Sequence, residues 1–147
     1  MRMVCTYPAR LEPDEDGRFV VHFPDLPEAL TDGADEAEAL IEASDCLSEA
    51  LASRIVDHEE IPLPSPAGPG MHLVSPEPTI ALKAALYSAL RAAGMTVDDL
   101  ALRLGVDDRE AFRLLSPRAR TPLAKLEAAL SALGYTIGIE VRDRRVA

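Results

Sequence analysis

The chain contains 147 residues, of which 48% are apolar, and its formal net charge is −10. This length holds one ordinary domain or two small ones, and this apolar content excludes wholesale disorder. No apolar run is long enough to cross a bilayer and the first residues lack a signal-peptide core, so we expect a cytoplasmic protein without membrane contact. Two cysteines are too few for a disulfide framework.

Charge is divided unevenly along the chain. Residues 1–78 contain 4 Lys/Arg against 17 Asp/Glu, a net charge of −13, whereas residues 79–147 contain 11 against 8, a net charge of +3. Such a division predicts an acidic unit and a mildly basic unit that face different partners. The alternative is that the acidic surface only keeps a small protein soluble.

The first 33 residues alternate between apolar and polar side chains, which is typical of β-strands. Residues 3–11 and 18–23 carry most of their apolar side chains at odd positions. Between them, Asp16 and Gly17 form a step that favours a hairpin turn. A third short strand is predicted around residues 29–31.

A helix follows the predicted strands. Asp35 can accept a hydrogen bond as its N-cap, with Glu38 as the capping-box partner. One apolar stripe would cover one face of the sheet, and it consists of Ala37, Leu40, Ile41, Leu47, Ala50, Leu51 and Ile55. Residues 1–57 therefore predict an α+β domain, a small antiparallel sheet with one covering helix.

Residues 58–79 contain six of the twelve prolines. This segment predicts an extended, semi-rigid linker, in which residues 71–74 could still form a short edge strand.

Residues 80–147 have a helical pattern interrupted by glycines. Helices are predicted at residues 80–93, 97–104 after Thr96, 108–115 after Asp107, and 123–133. Short helices joined by a glycine turn predict a helix-turn-helix, with residues 108–115 as the recognition helix. A plain helical bundle is the alternative.

The candidate DNA contacts lie on and around this recognition helix. Val106, Ala111 and Leu114 would face the core, so the other side of the helix would face the major groove. Negative charge at Asp107, Asp108 and Glu110 opposes binding to phosphates, and nearby arginines must outweigh it. The predicted DNA-binding residues are Thr96, Asp108, Arg109, Phe112, Arg113, Arg118 and Arg120.

The end of the chain alternates again. Tyr135, Ile137, Ile139 and Val141 would share one face of a strand that has no second strand in its own half. An unpaired strand leaves backbone groups without partners, so we expect it to pair with a second copy in a homodimer or higher oligomer.

Enzymatic and metal-binding interpretations find little support in the residue pattern. A metal-dependent nuclease could use Glu12, Asp14, Glu15, Asp16, Asp25 and Asp32, but three of these carboxylates lie in one hairpin turn, where solvated acids are common. His22, His58 and His72 lack metal-ligand or triad spacing. We therefore expect no catalytic residues, metal or cofactor.

Short motifs spread over nearly the whole chain together carry a family resemblance. They are Tyr7-Pro8-Ala9, Asp16-Gly17-Arg18-Phe19, the more specific Phe23-Pro24-Asp25-Leu26-Pro27, Ile61-Pro62-Leu63-Pro64, and Arg113-Leu114-Leu115 with the closing strand. The sequence resembles HicB antitoxins of their helix-turn-helix subgroup. The resemblance implies a partial ribonuclease-H-like domain that sequesters an mRNA-cleaving HicA toxin, and a second domain that binds operator double-stranded DNA.

The function that we predict is that of a non-enzymatic antitoxin and autorepressor. Asp25, Leu26, Pro27 and Glu28, expected to be exposed after the second strand, are the predicted toxin contacts. The alternatives are a stand-alone helix-turn-helix regulator without a toxin, and the metal-dependent nuclease.

Overall fold

The computed structural model of the chain describes residues 1–144. It confirms the α+β class, with a sheet and one helix followed by a helical half. Its elements are β1 (Tyr7–Pro13), β2 (Phe19–Phe23), β3 (Leu26–Gly33), α1 (Glu36–Val56), β4 (His72–Val74), α2 (Pro78–Ala93), α3 (Val97–Leu104), α4 (Asp108–Leu115) and α5 (Leu123–Ala132).

The four strands form one antiparallel sheet in the order β3-β2-β1-β4. Gly17 has a φ of 78° in the turn between β1 and β2, a conformation that favours glycine. β3 is longer than the predicted piece at 29–31, because it begins directly after the β2 turn at Leu26. β4 lies where the sequence predicts a short edge strand, and it pairs with β1 through Tyr7 and Val74.

Helix α1 packs on one face of the sheet, but its first two turns differ from the predicted stripe. Ile41 is 49% exposed and Ala37 is exposed, whereas Ala39 and Ala43 are buried. The reason is the close approach of β3, since a Cβ atom on Gly33 would lie 2.3 Å from the backbone nitrogen of Ala39. Only small side chains fit between a strand and a helix at this separation.

The start of α1 is capped almost as predicted. The Asp35 carboxylate accepts a hydrogen bond from the Glu38 N–H at 2.8 Å. The Glu38 carboxylate accepts from the N–H of Ala34 at 3.0 Å, one residue before the N-cap position that a capping box would use.

Each half of the chain has its own cluster of buried apolar side chains, and each cluster includes one residue from the other half. Ile55 of α1 lies in the cluster of the helical half, and Ile80 of α2 lies in the cluster under the sheet. The intervening segment is fastened from both sides, because Tyr7 Oη donates to the Pro62 carbonyl and Tyr87 Oη to the Glu59 carbonyl, both at 2.7 Å. The division into domains 1–57 and 80–147 with a linker at 58–79 stays a prediction, and its last three residues lie outside the described range.

Candidate functional site

Helices α3 and α4 follow each other across a short turn at residues 105–107, and their ends are fixed by local capping. The Thr96 hydroxyl accepts a hydrogen bond from the Asp99 N–H at 3.1 Å, and the Asp99 carboxylate accepts from the Thr96 N–H at 2.8 Å. This capping box holds the pKa of Asp99 below its usual value, through the hydrogen bonds from Thr96. Gly105 ends α3 with a φ of 67°, and the Asp107 carboxylate caps α4 by accepting from the Glu110 N–H at 2.8 Å.

Helix α4 presents one side to the core and the other to solvent. Ala111, Leu114 and Leu115 are buried. The opposite side exposes four of the residues that the sequence singles out, namely Asp108, Arg109, Phe112 and Arg113. Phe112 is 64% exposed, which leaves a large apolar ring in water in the middle of this face. Such a face is available to a partner.

Part of the negative charge at the start of α4 is neutralised within the chain. Glu110 Oε1 lies 3.0 Å from Lys125 Nζ of α5. The Asp107 carboxylate faces the α4 N-terminus, whose dipole favours a negative charge. Asp108 is exposed at the helix start, so its charge still opposes phosphate contact, whereas the charges of Asp107 and Glu110 are compensated within the chain.

The turn after α4 carries the remaining predicted DNA contacts. Arg118 and Arg120 are both exposed in the segment between α4 and α5. The Thr121 hydroxyl donates to the Arg113 carbonyl at 3.3 Å, which closes this turn against the end of α4. Arg109, Arg113, Arg118 and Arg120 thus belong to one short stretch of chain, with Thr96 placed separately at the start of α3.

Lys83 of α2 binds the backbone of residues 113–119 from the buried side, and this role was not predicted from the sequence. Its side chain is 0% exposed, and Nζ donates to the carbonyls of Arg113, Ser116 and Ala119 at 3.1, 2.5 and 2.7 Å. Burial lowers the pKa of Lys83, and the charge of Arg113 lowers it further. A signal for this role was present, because Lys83 stands among apolar residues in residues 80–86.

In the first half, the structure corrects one predicted toxin contact. Leu26, expected to be exposed, is 0% exposed and belongs to the core, because it is the first residue of β3 and faces α1. Pro27 is exposed.

The two acidic residues of the predicted contact segment bind within the chain. Asp25 accepts hydrogen bonds from Ser65 N and Oγ at 2.9 and 2.5 Å. Glu28 pairs with Arg54 through two hydrogen bonds, of 2.5 and 3.0 Å, which lower the pKa of the Glu28 carboxyl. These contacts place the segment beside the last turn of α1.

The outer side of α1 carries an acidic row that was not predicted as a site from the sequence. Glu42, Asp45 and Glu49 follow one another at spacings of three and four residues, so they lie on one face. Within residues 1–144 none of the three forms an ion pair. Like charges at these spacings destabilise a helix slightly, so this row is not explained by the stability of the fold.

The hairpin carboxylates have a structural role in the turn. Asp14 Oδ1 accepts hydrogen bonds from the N–H groups of Asp16 and Arg18, both at 2.9 Å. In the described part of the chain, no three His, Cys, Asp or Glu side chains are grouped so that they could hold a metal ion. Among the same residues, no helix is both long and apolar enough to span a membrane.

The closing segment, residues 135–143, is not paired as a strand within the single chain. Tyr135 and Ile137 pack against the helical cluster. Ile139 and Val141 are 83% and 90% exposed. Pairing with a second copy stays a prediction, and it would bury these two exposed side chains in an interface.

Comparison with known proteins yields consistent similarities. Residues 6–85 match the profile of the HicB-like antitoxins of bacterial toxin–antitoxin systems. The chain is 36% identical to "Antitoxin HicB 1" of Photorhabdus laumondii over 135 residues, which are 92% of this chain and 86% of that protein. It is 35% identical to "Antitoxin HicB" of Escherichia coli K12 over 133 residues, which are 90% and 96% of the two chains. These alignments therefore include most of the helical half.

Proposed function

The chain belongs to the HicB-like antitoxin family, and we propose that it neutralises a HicA-type mRNA-cleaving toxin and represses its own operon by binding operator DNA. The observation that carries this proposal is the joining of two different surfaces in one chain. An acidic surface lies on the sheet-and-helix half, and the exposed side of α4 with its arginines lies on the other half. Neither activity requires catalysis by this chain, and both nucleic acids of the system, mRNA and operon DNA, are cytoplasmic in bacteria.

The acidic row on α1 supports binding to a toxin. A protein that cleaves RNA needs a basic surface for the phosphates, and an acidic surface of similar size can cover it. Glu42, Asp45 and Glu49 lack internal ion pairs among residues 1–144, so their charges are free to pair with such a surface. Ile41, half exposed beside them, adds apolar contact. In this proposal Pro27 contacts the toxin. Asp25 and Glu28 hold the backbone beside Pro27 in place through their hydrogen bonds within the chain.

The exposed side of α4 supports binding to DNA. Arg109 and Arg113 lie one helical turn apart and can reach base edges in the major groove, while Arg118, Arg120 and the exposed Thr96 approach phosphates. A homodimer formed through the closing segment would place two such helices on one operator, as helix-turn-helix proteins require for two half-sites.

The first experiment tests toxin binding by copurification. The tagged chain is expressed from its own operon, and we expect a small basic protein encoded in that operon to purify with it. The double variant Glu42→Lys/Glu49→Lys should lose the partner. Glu127→Lys, a like charge change at an exposed position of α5, is the matched control and should retain it. Equal copurification by both variants would show that α1 is not the toxin surface.

The second experiment tests DNA binding by selecting duplexes from a randomised pool of DNA. We expect enrichment of one sequence with two-fold symmetry. If a duplex is enriched but no neighbouring protein copurifies, the chain is a stand-alone regulator. If no sequence is enriched, the proposed repressor role is wrong.

A further inference from the structure

The buried ammonium of Lys83 reaches the part of the chain that the proposed DNA interface uses. Its three hydrogen bonds go to backbone carbonyls of residues 113, 116 and 119, at 2.5 to 3.1 Å. A lysine ammonium has three N–H donors, so all of them are used. Lys83 is also the only charged residue that is buried among residues 1–144. A fully buried lysine is rare unless its charge is compensated.

The compensation comes from the end of a helix rather than from a carboxylate. The last carbonyls of α4 carry the negative end of its dipole, which stabilises a cation there. The Arg113 carbonyl would normally accept from the N–H four residues later, but residue 117 is a proline and has no N–H. Lys83 Nζ supplies the missing donor, together with the Thr121 hydroxyl. The lysine therefore completes the hydrogen bonding of a helix end that the sequence leaves incomplete.

The same three bonds fix the backbone that presents the arginines. Arg113 lies at the first acceptor, and Arg118 is placed between the second and third acceptors, at Ser116 and Ala119. Both arginine side chains are exposed, so their positions depend on the backbone that carries them. Without Lys83, the turn would keep the backbone hydrogen bond from the Ala119 N–H to the Ser116 carbonyl. It would no longer be linked to α2 through the ammonium.

We propose that Lys83 is a positioning residue for DNA binding, which holds the end of α4 and the following turn so that Arg113 and Arg118 meet the duplex as one rigid unit. This inference rests on the proposed DNA-binding function. It does not assign Lys83 any contact with DNA, because the side chain is buried. Ordering these arginines before binding reduces the entropic cost of association.

The test uses the full chain and the duplex selected by the unmodified protein. Lys83→Met keeps the apolar stem and removes the donors. We expect it to bind about tenfold more weakly, and the slope of its salt dependence should fall by about 1 for each phosphate that the arginines no longer neutralise. Leu47→Ala, in the buried cluster under the sheet, is the control for general destabilisation. Measured below the melting temperature of each variant, it should bind as the unmodified protein does.

A second measurement separates positioning from a merely structural role. In the background Arg113→Ala/Arg118→Ala, the further change Lys83→Met should have little effect on affinity, because Lys83 acts through those two side chains. An equal decrease in affinity in both backgrounds would overturn the inference, as would unchanged affinity of Lys83→Met.

If Lys83→Met does not fold, Lys83→Gln retains two N–H donors and should give an intermediate affinity and salt dependence. Failure of both variants to fold while Leu47→Ala folds would assign Lys83 to stability alone and overturn the inference. If the unmodified protein selects no duplex, the proposed function itself fails, and this result is distinct from a Lys83 variant that binds normally.

Discussion

Arg109 and Arg113 are the side chains from which sequence-specific DNA binding is expected, since both are exposed on the side of α4 opposite to Ala111 and Leu114. Replacing either by alanine should weaken binding to the selected duplex by about 1–3 kcal/mol if it contacts a guanine. Fluorescence anisotropy at several salt concentrations measures this. Arg10→Ala, the same change on the exposed side of the sheet, should have no effect, and equal behaviour of all three variants would contradict the placement of α4 as the recognition helix.

The pair of Glu28 and Arg54 makes stability depend on pH. The hydrogen bonds from Arg54 hold the pKa of the Glu28 carboxyl below its ordinary value of 4.5. A lowered folded-state pKa gives stability that is present above pH 4.5 and is lost as the pH falls through the folded value. Because Glu28 is partly exposed, the effect should be modest.

Glu28→Gln should therefore be less stable than the unmodified protein at about pH 7, and the difference should disappear on acidification. Urea unfolding at neutral and at low pH measures both. Glu49→Gln, on the outer side of α1 and without an ion pair among the described residues, is the control. A difference that stays constant with pH would show that the ion pair does not form in solution.

At the scale of elements, the sequence predicts the turns and helix limits that residues close together in the chain determine. The β1–β2 turn follows from Gly17, and the limits of α3 and α4 follow from Thr96, Gly105 and Asp107, because caps and turns act within a few residues. Leu47, Ala50, Leu51 and Ile55 of α1 are buried as predicted, but the buried side of its first two turns could not be predicted, because it depends on the approach of Gly33 from another element.

The candidate site divides in the same way. The exposed side of α4 follows from helical periodicity within eight residues. The burial of Leu26 depends on where β3 begins. Asp25 accepts its hydrogen bonds from Ser65, which is distant in sequence. The role of Lys83 depends on carbonyls 30 to 36 residues away. Interactions of this kind are properties of the tertiary structure.

The approach of β3 to α1 gives a prediction about stability. Gly33→Ala would place a Cβ 2.3 Å from the backbone of Ala39, so the strand and helix must separate. We expect the free energy of unfolding, measured by urea denaturation, to fall by about 1–3 kcal/mol. Gly138→Ala, where no atom lies within 4 Å of the added Cβ, should leave stability unchanged. Equal stability of the two variants would contradict this packing.

At the scale of the whole molecule, the exposed Ile139 and Val141 are expected to lie in a dimer interface. Ile139→Pro removes a backbone N–H that strand pairing would use, so it should convert the protein from dimer to monomer and weaken DNA binding. Ile139→Val keeps the N–H and should remain dimeric. Light scattering at matched concentrations distinguishes these outcomes, and an unchanged dimer for Ile139→Pro would place the interface elsewhere.

The two halves are expected to perform separate functions, although Ile55 packs in the buried cluster of the helical half and Ile80 in the cluster under the sheet. Charge changes on α1 should affect the toxin alone, because they lie on the outer side of the sheet-and-helix half. Changes on the exposed side of α4 should affect DNA alone. Such independence is expected when variants alter surface side chains and leave both cores intact.

The most direct test of the antitoxin role is the cleavage of RNA by the protein expected to copurify with the chain, titrated with the full chain. We expect complete protection of the RNA once the chain equals the toxin in molar concentration, and the same protection by Arg109→Ala/Arg113→Ala. Glu42→Lys/Glu49→Lys should protect only at a large excess. Cleavage that continues unchanged with an excess of the unmodified chain would contradict the antitoxin function.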